Sequence, residues 1–317
     1  MAITLTVVEA EAGTRLDRFL ANHVDGLSTR AAARLAAAGA VLVNGRRSRK
    51  GRALHAGDTL QVDERDIDAH SGDFAPEPDP AMNVPILHRD DRTLVAEKPP
   101  GIHTAPVRGR DAGTLVSAVL AAAPEMARIE GFHRREVGLV HRLDRDTSGA
   151  CLFALDQDAF DRLRTASETD LVVKDYHAVV ENRFLRGPPV LEAAIPAARS
   201  RGRSVYVESV RRLRSKVLAP RRLEDGTRLV RLHVESVDAT SRHSLLRVKI
   251  SRGFRHQVRS VLAAVGHPIV GDELYGRPSK QGLLLHASRI VFPHPDDGRL
   301  TRVNSSPERL EAAWNKL

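Results

Sequence analysis

The apolar residues near the start of the chain follow a helical period. Leu16, Phe19 and Leu20 share one face of a helix. Thr14 and Asp17 have the spacing of a capping box, in which a hydroxyl and a carboxylate satisfy backbone N–H groups at the helix start. The pattern therefore predicts a short amphipathic helix that begins after Thr14.

A second helix and a small sheet follow. Ser28 or Thr29 can open the helix, and Gly39 can end it because glycine readily adopts the left-handed conformation of a helix C-terminus. Strands are predicted at 41–43 and 59–62, and a hairpin turn is predicted at Asn44-Gly45. Residues 1–64 are therefore expected to form a compact α/β domain.

The pattern changes after this domain. Residues 65–82 lack periodicity and are rich in proline and aspartate, which favours a linker. Residues 83–317 contain more strand-like than helix-like stretches, and the two kinds are interleaved irregularly. The strands are predicted at 94–96, 151–154, 176–180, 228–234 and 245–250, and the helices at 114–122, 156–166 and 256–264. We therefore expect an α+β fold in which a mixed, largely antiparallel sheet builds the larger domain.

The composition gives the chain a net positive charge, and it argues against membrane-spanning, secreted and disulfide-bonded proteins. The 317 residues include 49 Lys and Arg against 40 Asp and Glu, a net charge of +9, which favours a polyanionic partner such as nucleic acid or an anionic membrane surface. No apolar run reaches the length of a membrane span and the N-terminus lacks a signal-peptide pattern, so we expect a cytoplasmic protein with no membrane partner. Cys151 is the single cysteine, which excludes an internal disulfide and a cysteine-rich zinc site.

Much of the positive charge lies in the N-terminal domain. Nine Lys or Arg and two acidic residues occur between positions 15 and 52. Helices followed by a hairpin with such a basic face resemble the S-four-type (αL) RNA-binding domain. The residues expected to contact RNA are Arg15, Arg18, Arg30, Arg34, Arg46, Arg47 and Lys50. A small solvated domain without a binding function is the alternative.

One nine-residue stretch, His141 to Gly149, carries the strongest chemical signal. It places Asp144 between Arg142 and Arg145, ahead of a Thr-Ser-Gly turn. A carboxylate beside guanidinium groups stays ionised even where it is partly desolvated, because the positive charge lowers its pKa. Such a group can act as a nucleophile or as a base on an RNA substrate. For the arginines and aspartate alone, a surface ion-pair cluster would be the simpler interpretation.

The complete stretch resembles the catalytic signature of the RluA-type pseudouridine synthases. Four further segments resemble motifs of the same family, in the same order, at 97–103, 174–180, 253–276 and 285–295. The resemblance implies an isomerase that breaks the N-glycosidic bond of a uridine in RNA and rejoins the uracil to the ribose through carbon 5. Because that reaction conserves every atom and electron, we expect no cofactor and no metal.

The resemblance also implies roles for individual residues. Asp144 would be the essential carboxylate, and Arg259 would pair with it and keep it ionised. Tyr176 would stack on the uracil, and its hydroxyl would pass on the proton released from carbon 5. Arg142 would be the wedge that fills the gap when the target base leaves its stack; a phosphate clamp is the alternative for this arginine.

Three further expectations concern the surroundings of this stretch. His141 is expected to pack or hydrogen-bond locally, and Asp146 and Thr147 to fix the loop through side-chain to backbone hydrogen bonds. The family's usual Gly-Arg-Thr-His-Gln is replaced at 253–257 by Gly-Phe-Arg-His-Gln. The segment 199–222 has nine Lys or Arg and one acidic residue, so it is expected to be a phosphate-binding patch or a solvated loop.

The substrate is less well defined than the reaction. The N-terminal RNA-binding domain favours large-subunit ribosomal RNA, because it resembles the architecture of the family's large-subunit enzymes, and we expect a monomer. A tRNA pseudouridine synthase and a non-catalytic RNA-binding factor in ribosome assembly are the alternatives. A glycosidase with Asp144 and Asp146 as paired carboxylates is disfavoured, because aromatic residues, which line sugar-binding grooves, are only 4% of the chain.

Overall fold

The structure is a computed structural model. It describes residues 2–24, 27, 29–49, 51–71, 75–107, 112–131, 133–184, 190–196, 204–213, 221–222 and 227–317. At 30, 68–71, 212–213 and 221–222 this description is limited to the backbone. The described strands form two sheets, a small one near the N-terminus and a large one in the rest of the chain.

The N-terminal residues form a four-stranded antiparallel sheet with order β1-β4-β2-β3. Its elements are β1 (Ala2–Thr6), α1 (Leu16–His23), α2 (Thr29–Ala37), β2 (Val41–Val43), β3 (Arg46–Arg47), β4 (Thr59–Asp63) and α3 (Glu64–Ser71). Leu16, Phe19 and Leu20 are buried together in one apolar cluster with α2 and the sheet, as their periodicity predicts. Asn44 and Gly45 both have positive φ angles, which confirms the predicted hairpin turn between β2 and β3.

The start of α1 differs from the predicted capping box. Arg15 is the N-cap residue and no side chain caps the helix. Asp17 instead accepts hydrogen bonds from Nε and Nη2 of Arg15, at 3.1 and 2.8 Å. Thr14 belongs to the preceding turn, where its N–H bonds the carbonyl of Glu11. The prediction was wrong because an arginine next to the helix start offers Asp17 a charged partner.

Helix α3 occupies the first part of the segment interpreted as a linker, residues 65–82. Ile67 is 7% exposed and belongs to the N-terminal apolar cluster, so one buried side chain anchors a helix that the polar sequence does not signal. The division into 1–64, a linker and 83–317 stays a prediction. The position of α3 favours an N-terminal unit that extends to residue 71.

The larger sheet follows the path β10-β9-β12-β13-β8-β14-β7-β6-β5, with β11 paired to β12 and β15 paired to β14. Its strands are β5 (Ile86–Arg89), β6 (Thr93–Lys98), β7 (Ser148–Ala154), β8 (Val173–Glu181), β9 (Val190–Ile195), β10 (Ser209–Leu213), β11 (Arg221–Arg222), β12 (Arg228–Ala239), β13 (His243–Ile250), β14 (Leu285–Pro293) and β15 (Leu300–Asn304). Among the described strands, β7 and β14 pair in parallel and all other pairs are antiparallel. The predicted α+β fold with a mixed, largely antiparallel sheet is confirmed.

Helices cover the two halves of this sheet separately. They are α4 (Leu115–Ala122), α5 (Gln157–Glu168), α6 (Gln257–Ala264) and α7 (Glu308–Trp314), with short 3-10 helices at 124–128 and 134–136. A further 3-10 helix, at 9–11, belongs to the N-terminal residues. Thr114 and Asp156 cap α4 and α5, since their side chains accept hydrogen bonds from backbone N–H groups of the first turn. Helices α4 and α5 share an apolar cluster with β6 and β7, whereas α6 shares one with β8, β12 and β13.

The two halves meet at β14, which lies between β7 and β8. Ala287 of β14 is in register with Gly149 on one side and with Tyr176 on the other. Gly149 has a φ of +114°, and a Cβ atom there would lie 2.3 Å from the carbonyl oxygen of Ala287. Only glycine allows this approach. The sheet therefore places the end of the His141–Gly149 loop one strand away from Tyr176.

Candidate active site

Asp144 lies in the loop that leads into β7, and the backbone on both sides of it is clamped. The Thr104 hydroxyl donates to the Leu143 carbonyl at 2.7 Å and accepts from the Leu143 N–H at 3.2 Å. On the other side, Lys98 Nζ donates to the carbonyl of Arg145 at 2.7 Å. The carboxylate is therefore carried by a loop with little conformational freedom.

Lys98 is the centre of this clamp. Its side chain is fully buried, and its ammonium group also donates to the carbonyls of Pro99 and Ile102, each at 2.8 Å. Burial lowers the pKa of Lys98 to about 8, while the negative charges of nearby carboxylates partly oppose this shift. The segment 97–103, an ordinary turn by its sequence, thus fixes the position of the loop that carries Asp144.

Arg259 connects Asp144 to a buried carboxylate. Its Nη1 donates to Asp144 Oδ2 at 3.0 Å, while Nε and Nη2 bind the two oxygens of Asp272 at 2.7 and 2.8 Å. Burial would lower the pKa of Arg259, but the hydrogen bonds and charge of Asp272, together with Asp144, outweigh it and raise that pKa above its usual value. The guanidinium therefore stays charged beside Asp144.

Asp272 is itself held by the backbone. Its Oδ1 also accepts from the N–H groups of Leu274 and Tyr275, at 3.0 and 3.1 Å, and its side chain is fully buried. Burial acts to raise the pKa of Asp272, but the hydrogen bonds and charge of Arg259 hold it below its usual value. The sequence motif that contains Gly271 and Asp272 was matched to the family, but Asp272 was given no role. The presence of an acidic residue within so specific a motif could have indicated that role.

Tyr176 and Asp144 differ in their access to solvent. Tyr176 lies in β8 and is 6% exposed, whereas the Asp144 side chain is 24% exposed. Burial, followed by the negative charge of Asp144, raises the pKa of Tyr176 well above its usual value. The site therefore combines a partly open carboxylate with a buried phenol whose raised pKa favours the protonated form.

His256 and Tyr275 form another wall of the site. His256 Nε2 lies 3.9 Å from Asp144 Oδ1, and His256 Nδ1 lies 2.9 Å from the hydroxyl oxygen of Tyr275. That oxygen also accepts the N–H of Val205 at 2.6 Å. Burial lowers the pKa of His256, and the negative charge of Asp144 partly opposes this shift. Sequence reasoning assigned neither side chain a role.

Arg142 lies on the outer side of the loop. Its side chain is 54% exposed, and Nη1 donates to Glu136 Oε1 at 2.8 Å. His141 next to it accepts a hydrogen bond from the Leu152 N–H at 3.2 Å, which confirms the local role predicted for this histidine. Burial holds the pKa of His141 well below its usual value.

The prediction for Thr147 was wrong. Its hydroxyl is buried and has no hydrogen-bond partner among the described residues. Its backbone N–H instead closes a turn onto the carbonyl of Asp144 at 3.1 Å. This backbone turn and the side chains of Lys98 and Thr104 hold the loop in place of the bond expected from the Thr147 hydroxyl.

The segment 253–257, which departs from the family's usual sequence, is held by a cation–π contact and by hydrogen bonds of Gln257. The guanidinium of Arg228 lies 4.6 Å from the centre of the Phe254 ring, a cation–π contact. Gln257 then ties the segment to the sheet, since its side chain accepts from the Phe254 N–H and donates to the Arg231 carbonyl. Phe254 thus supports the turn that places His256 and α6 against the site.

Most of the arginines predicted to bind RNA are exposed. Arg15, Arg18, Arg34, Arg46 and Arg47 have exposed side chains on α1, α2 and β3 or at their ends. Lys50 and the side chain of Arg30 lie outside the described residues, as does much of the basic segment 199–222.

Within the described ranges, no helix is long and apolar enough to cross a membrane, and no three His, Cys, Asp or Glu side chains are grouped to hold a metal ion.

Comparison with known proteins gives two family matches. Residues 92–264 match the RNA pseudouridylate synthase family, and residues 14–60 match the S4 domain. An uncharacterised RNA pseudouridine synthase of Mycobacterium tuberculosis is 32% identical over 99% of this chain and 97% of its own length. The ribosomal large subunit pseudouridine synthase D of Zymomonas mobilis is 30% identical over 99% of this chain and 96% of its length.

One solved structure supports the fold. Human RNA pseudouridylate synthase domain containing 1 superposes with a TM-score of 0.52 at 24% identity. The match covers 74% of this chain and 89% of the human one.

Proposed function

Because the chain belongs to the RNA pseudouridylate synthase family, in its RluA-type branch, we propose that it isomerises uridine in large-subunit ribosomal RNA and that Asp144 is its essential group. The S4 domain match and the relatives named ribosomal large subunit pseudouridine synthase D support this RNA over tRNA. The contact that carries the proposal for Asp144 is its 3.0 Å hydrogen bond from Arg259, itself anchored to buried Asp272.

The reaction needs Asp144 in its ionised form. In one route the carboxylate attacks the anomeric carbon of the ribose, and in the other it removes the 2′ proton. Both routes break the bond from N1 to the ribose and form one from carbon 5, while carbon 5 loses a proton and N1 gains one. Arg259 favours the charged carboxylate in either case, and its buried ion pair with Asp272 keeps its direction fixed before substrate binds.

Tyr176 is proposed to hold the uracil while it turns. The phenol lies within the electrostatic influence of Asp144, on the strand next to β14, so its ring can stack on a base that has left the RNA helix. Its raised pKa keeps the hydroxyl protonated. In this proposal the hydroxyl relays the proton released from carbon 5: it accepts that proton as it passes its own to solvent water, and N1 takes up a proton from solvent.

Arg142 and the N-terminal arginines are proposed to handle the RNA around the target. Arg142, half exposed on the same loop as Asp144, would enter the space left by the flipped uridine and offset part of the unstacking cost of a few kcal/mol. The exposed arginines of α1, α2 and β3 would bind phosphates and hold the RNA without reading its sequence.

An assay of tritium release from RNA labelled at carbon 5 of uridine tests this function. The wild-type protein is expected to release tritium from a large-subunit ribosomal RNA transcript, and Asp144→Asn to abolish release while RNA binding stays within a few fold. Asp146→Asn is the matched control, since this exposed neighbour should keep most activity. Residual turnover of Asp144→Asn within about tenfold of wild type would remove Asp144 from the reaction.

The same assay separates the alternatives. Release from tRNA but not from ribosomal RNA would identify a tRNA enzyme, and binding without release would identify a non-catalytic factor. Mapping pseudouridines in ribosomal RNA from a strain that lacks the protein would then identify the target uridine.

A further inference from the structure

Glu136 and Arg142 form an ion pair at the edge of the candidate active site. The Glu136 side chain is 16% exposed and the Arg142 side chain 54% exposed, and Nη1 of the arginine lies 2.8 Å from Oε1 of the glutamate. Glu136 ends the 3-10 helix at 134–136, which lies beside the loop that carries Asp144. The carboxylate is thus a largely buried group that holds a partly exposed cation.

The chain between these two residues is rigid. Val137, Leu139 and Val140 are buried. The backbone of this segment bonds β7, where the Val140 N–H donates to the Leu152 carbonyl and the Gly138 carbonyl accepts from the Ala154 N–H. A Cβ atom on Gly138 would lie 2.6 Å from the Ala154 carbonyl oxygen, so the segment packs tightly against the strand. The positions of the glutamate and of the arginine backbone are therefore fixed relative to each other.

We propose that Glu136 is a positioning residue that orients Arg142 for insertion into the RNA. This inference rests on the wedge role proposed for Arg142. An unrestrained arginine samples many rotamers and loses that freedom when it enters the stack, whereas one bound through Nη1 to a fixed carboxylate has lost part of it already. One nitrogen is committed to Glu136, which leaves Nε and Nη2 to contact the RNA.

The pair differs from ordinary surface ion pairs of the same chain. Glu125 binds Arg89 at the same distance, 2.8 Å, but both side chains there are more than 40% exposed. Exposed pairs of that kind add little to stability or orientation, because both partners are solvated and mobile. Burial of one partner is what makes Glu136 suited to direct the other.

Base flipping measured by fluorescence tests the proposal. The probe is a hairpin of large-subunit ribosomal RNA that contains a target uridine, with 2-aminopurine in place of the adjacent base. Glu136→Ala is expected to lower the rate of the fluorescence rise, and the single-turnover rate, roughly 3- to 10-fold, which is the cost of ordering one long side chain. Glu136→Gln can still accept the Arg142 hydrogen bond and should recover most of the loss. Glu125→Ala, the matched control, should behave as wild type, and thermal unfolding should show that each variant is folded.

A double variant separates this proposal from the function on which it rests. If Glu136 acts through Arg142, adding Glu136→Ala to Arg142→Ala should cause no further loss. Additive losses, a faster Glu136→Ala enzyme, or a Glu136→Gln variant no better than Glu136→Ala would each overturn the positioning role and leave the wedge role intact. Normal flipping by Arg142→Ala would instead refute the wedge role, and the inference with it.

Discussion

Asp272 binds Arg259 through two parallel hydrogen bonds of 2.7 and 2.8 Å, and both side chains are buried. Such a bidentate pair sets the plane of the guanidinium as well as its position. The nitrogen left over, Nη1, then points to Asp144. Asp272 therefore sets the orientation of the guanidinium that binds Asp144, although Asp272 itself does not contact Asp144.

Replacing Asp272 is accordingly expected to damage both folding and catalysis. Asp272→Asn leaves the Arg259 charge buried with only Asp144 as a charged partner, so the free energy of unfolding should fall by roughly 3 kcal/mol, as for other broken buried pairs. The rate of isomerisation should fall as well, because Arg259 is free to rotate. Urea unfolding and single-turnover tritium release measure the two effects, with exposed Asp91→Asn as the control. An Asp272→Asn protein with normal stability would show that the pair does not contribute to folding.

Removing the hydroxyl of Tyr176 should affect one step of the reaction. Tyr176→Phe keeps the ring in its place on β8, so uracil stacking and cleavage of the glycosidic bond should persist. Release of the carbon 5 proton should slow by roughly 100-fold or more, the usual contribution of a positioned proton-transfer group. Because the pKa of Tyr176 is raised, the wild-type rate should show no change from ionisation of this phenol up to pH 10. Unchanged product formation in single-turnover assays would exclude a role for the hydroxyl.

Part of this architecture could be predicted from the sequence because its signals are local. The strands around 94–96, 151–154 and 176–180 have short apolar runs, and the family resemblance singled out Asp144, Tyr176 and Arg259, two of which the structure joins directly. The roles of Lys98 and Asp272 could not be predicted from the sequence. They depend on contacts between residues far apart in the chain, since Lys98 binds the carbonyl of Arg145 and Asp272 binds the guanidinium of Arg259. The capping box at Thr14 failed for a related reason, since Arg15 competes for the same carboxylate.

His286 is expected to make the protein sensitive to mild acid. It is buried between Ser148, at the start of β7, and Ser305, with ring nitrogens 2.9 and 3.0 Å from the two hydroxyl oxygens. Burial lowers its pKa to about 4, so the folded state favours the neutral ring. The unfolded chain takes up this proton near pH 6.5, and the folded chain only near pH 4. The stability contributed by the neutral ring is therefore complete above about pH 6.5 and is lost as the pH falls towards 4, by on the order of 3 kcal/mol.

Urea unfolding at several pH values tests this contribution. His286→Gln should lower stability at pH 7 but reduce the fall between pH 6.5 and 4, because the titrating group is gone. His133→Gln, at an exposed position, is the control for loss of a histidine whose ring is not buried. Equal falls for His286→Gln and wild type would show that this histidine does not control acid sensitivity.

The grip of the N-terminal domain on RNA should appear in the salt dependence of binding. Arg46 and Arg47 form β3, the edge strand of the small sheet, and both side chains are exposed. Each phosphate contact that is lost reduces the slope of log affinity against log salt by roughly 0.7 to 0.9, because fewer counterions are released. The double variant Arg46→Ala/Arg47→Ala should therefore bind ribosomal RNA with a slope smaller by about 1.4 to 1.8 if both arginines contact phosphate. Chemistry at saturating RNA should change little, since neither residue belongs to the candidate active site.

Arg299→Ala, which removes an arginine that is 89% exposed near β15, is the control and should keep the wild-type slope. Equal slopes for the double variant and wild type would show that β3 does not contact RNA and would shift the search for the electrostatic anchor to the basic segment 199–222.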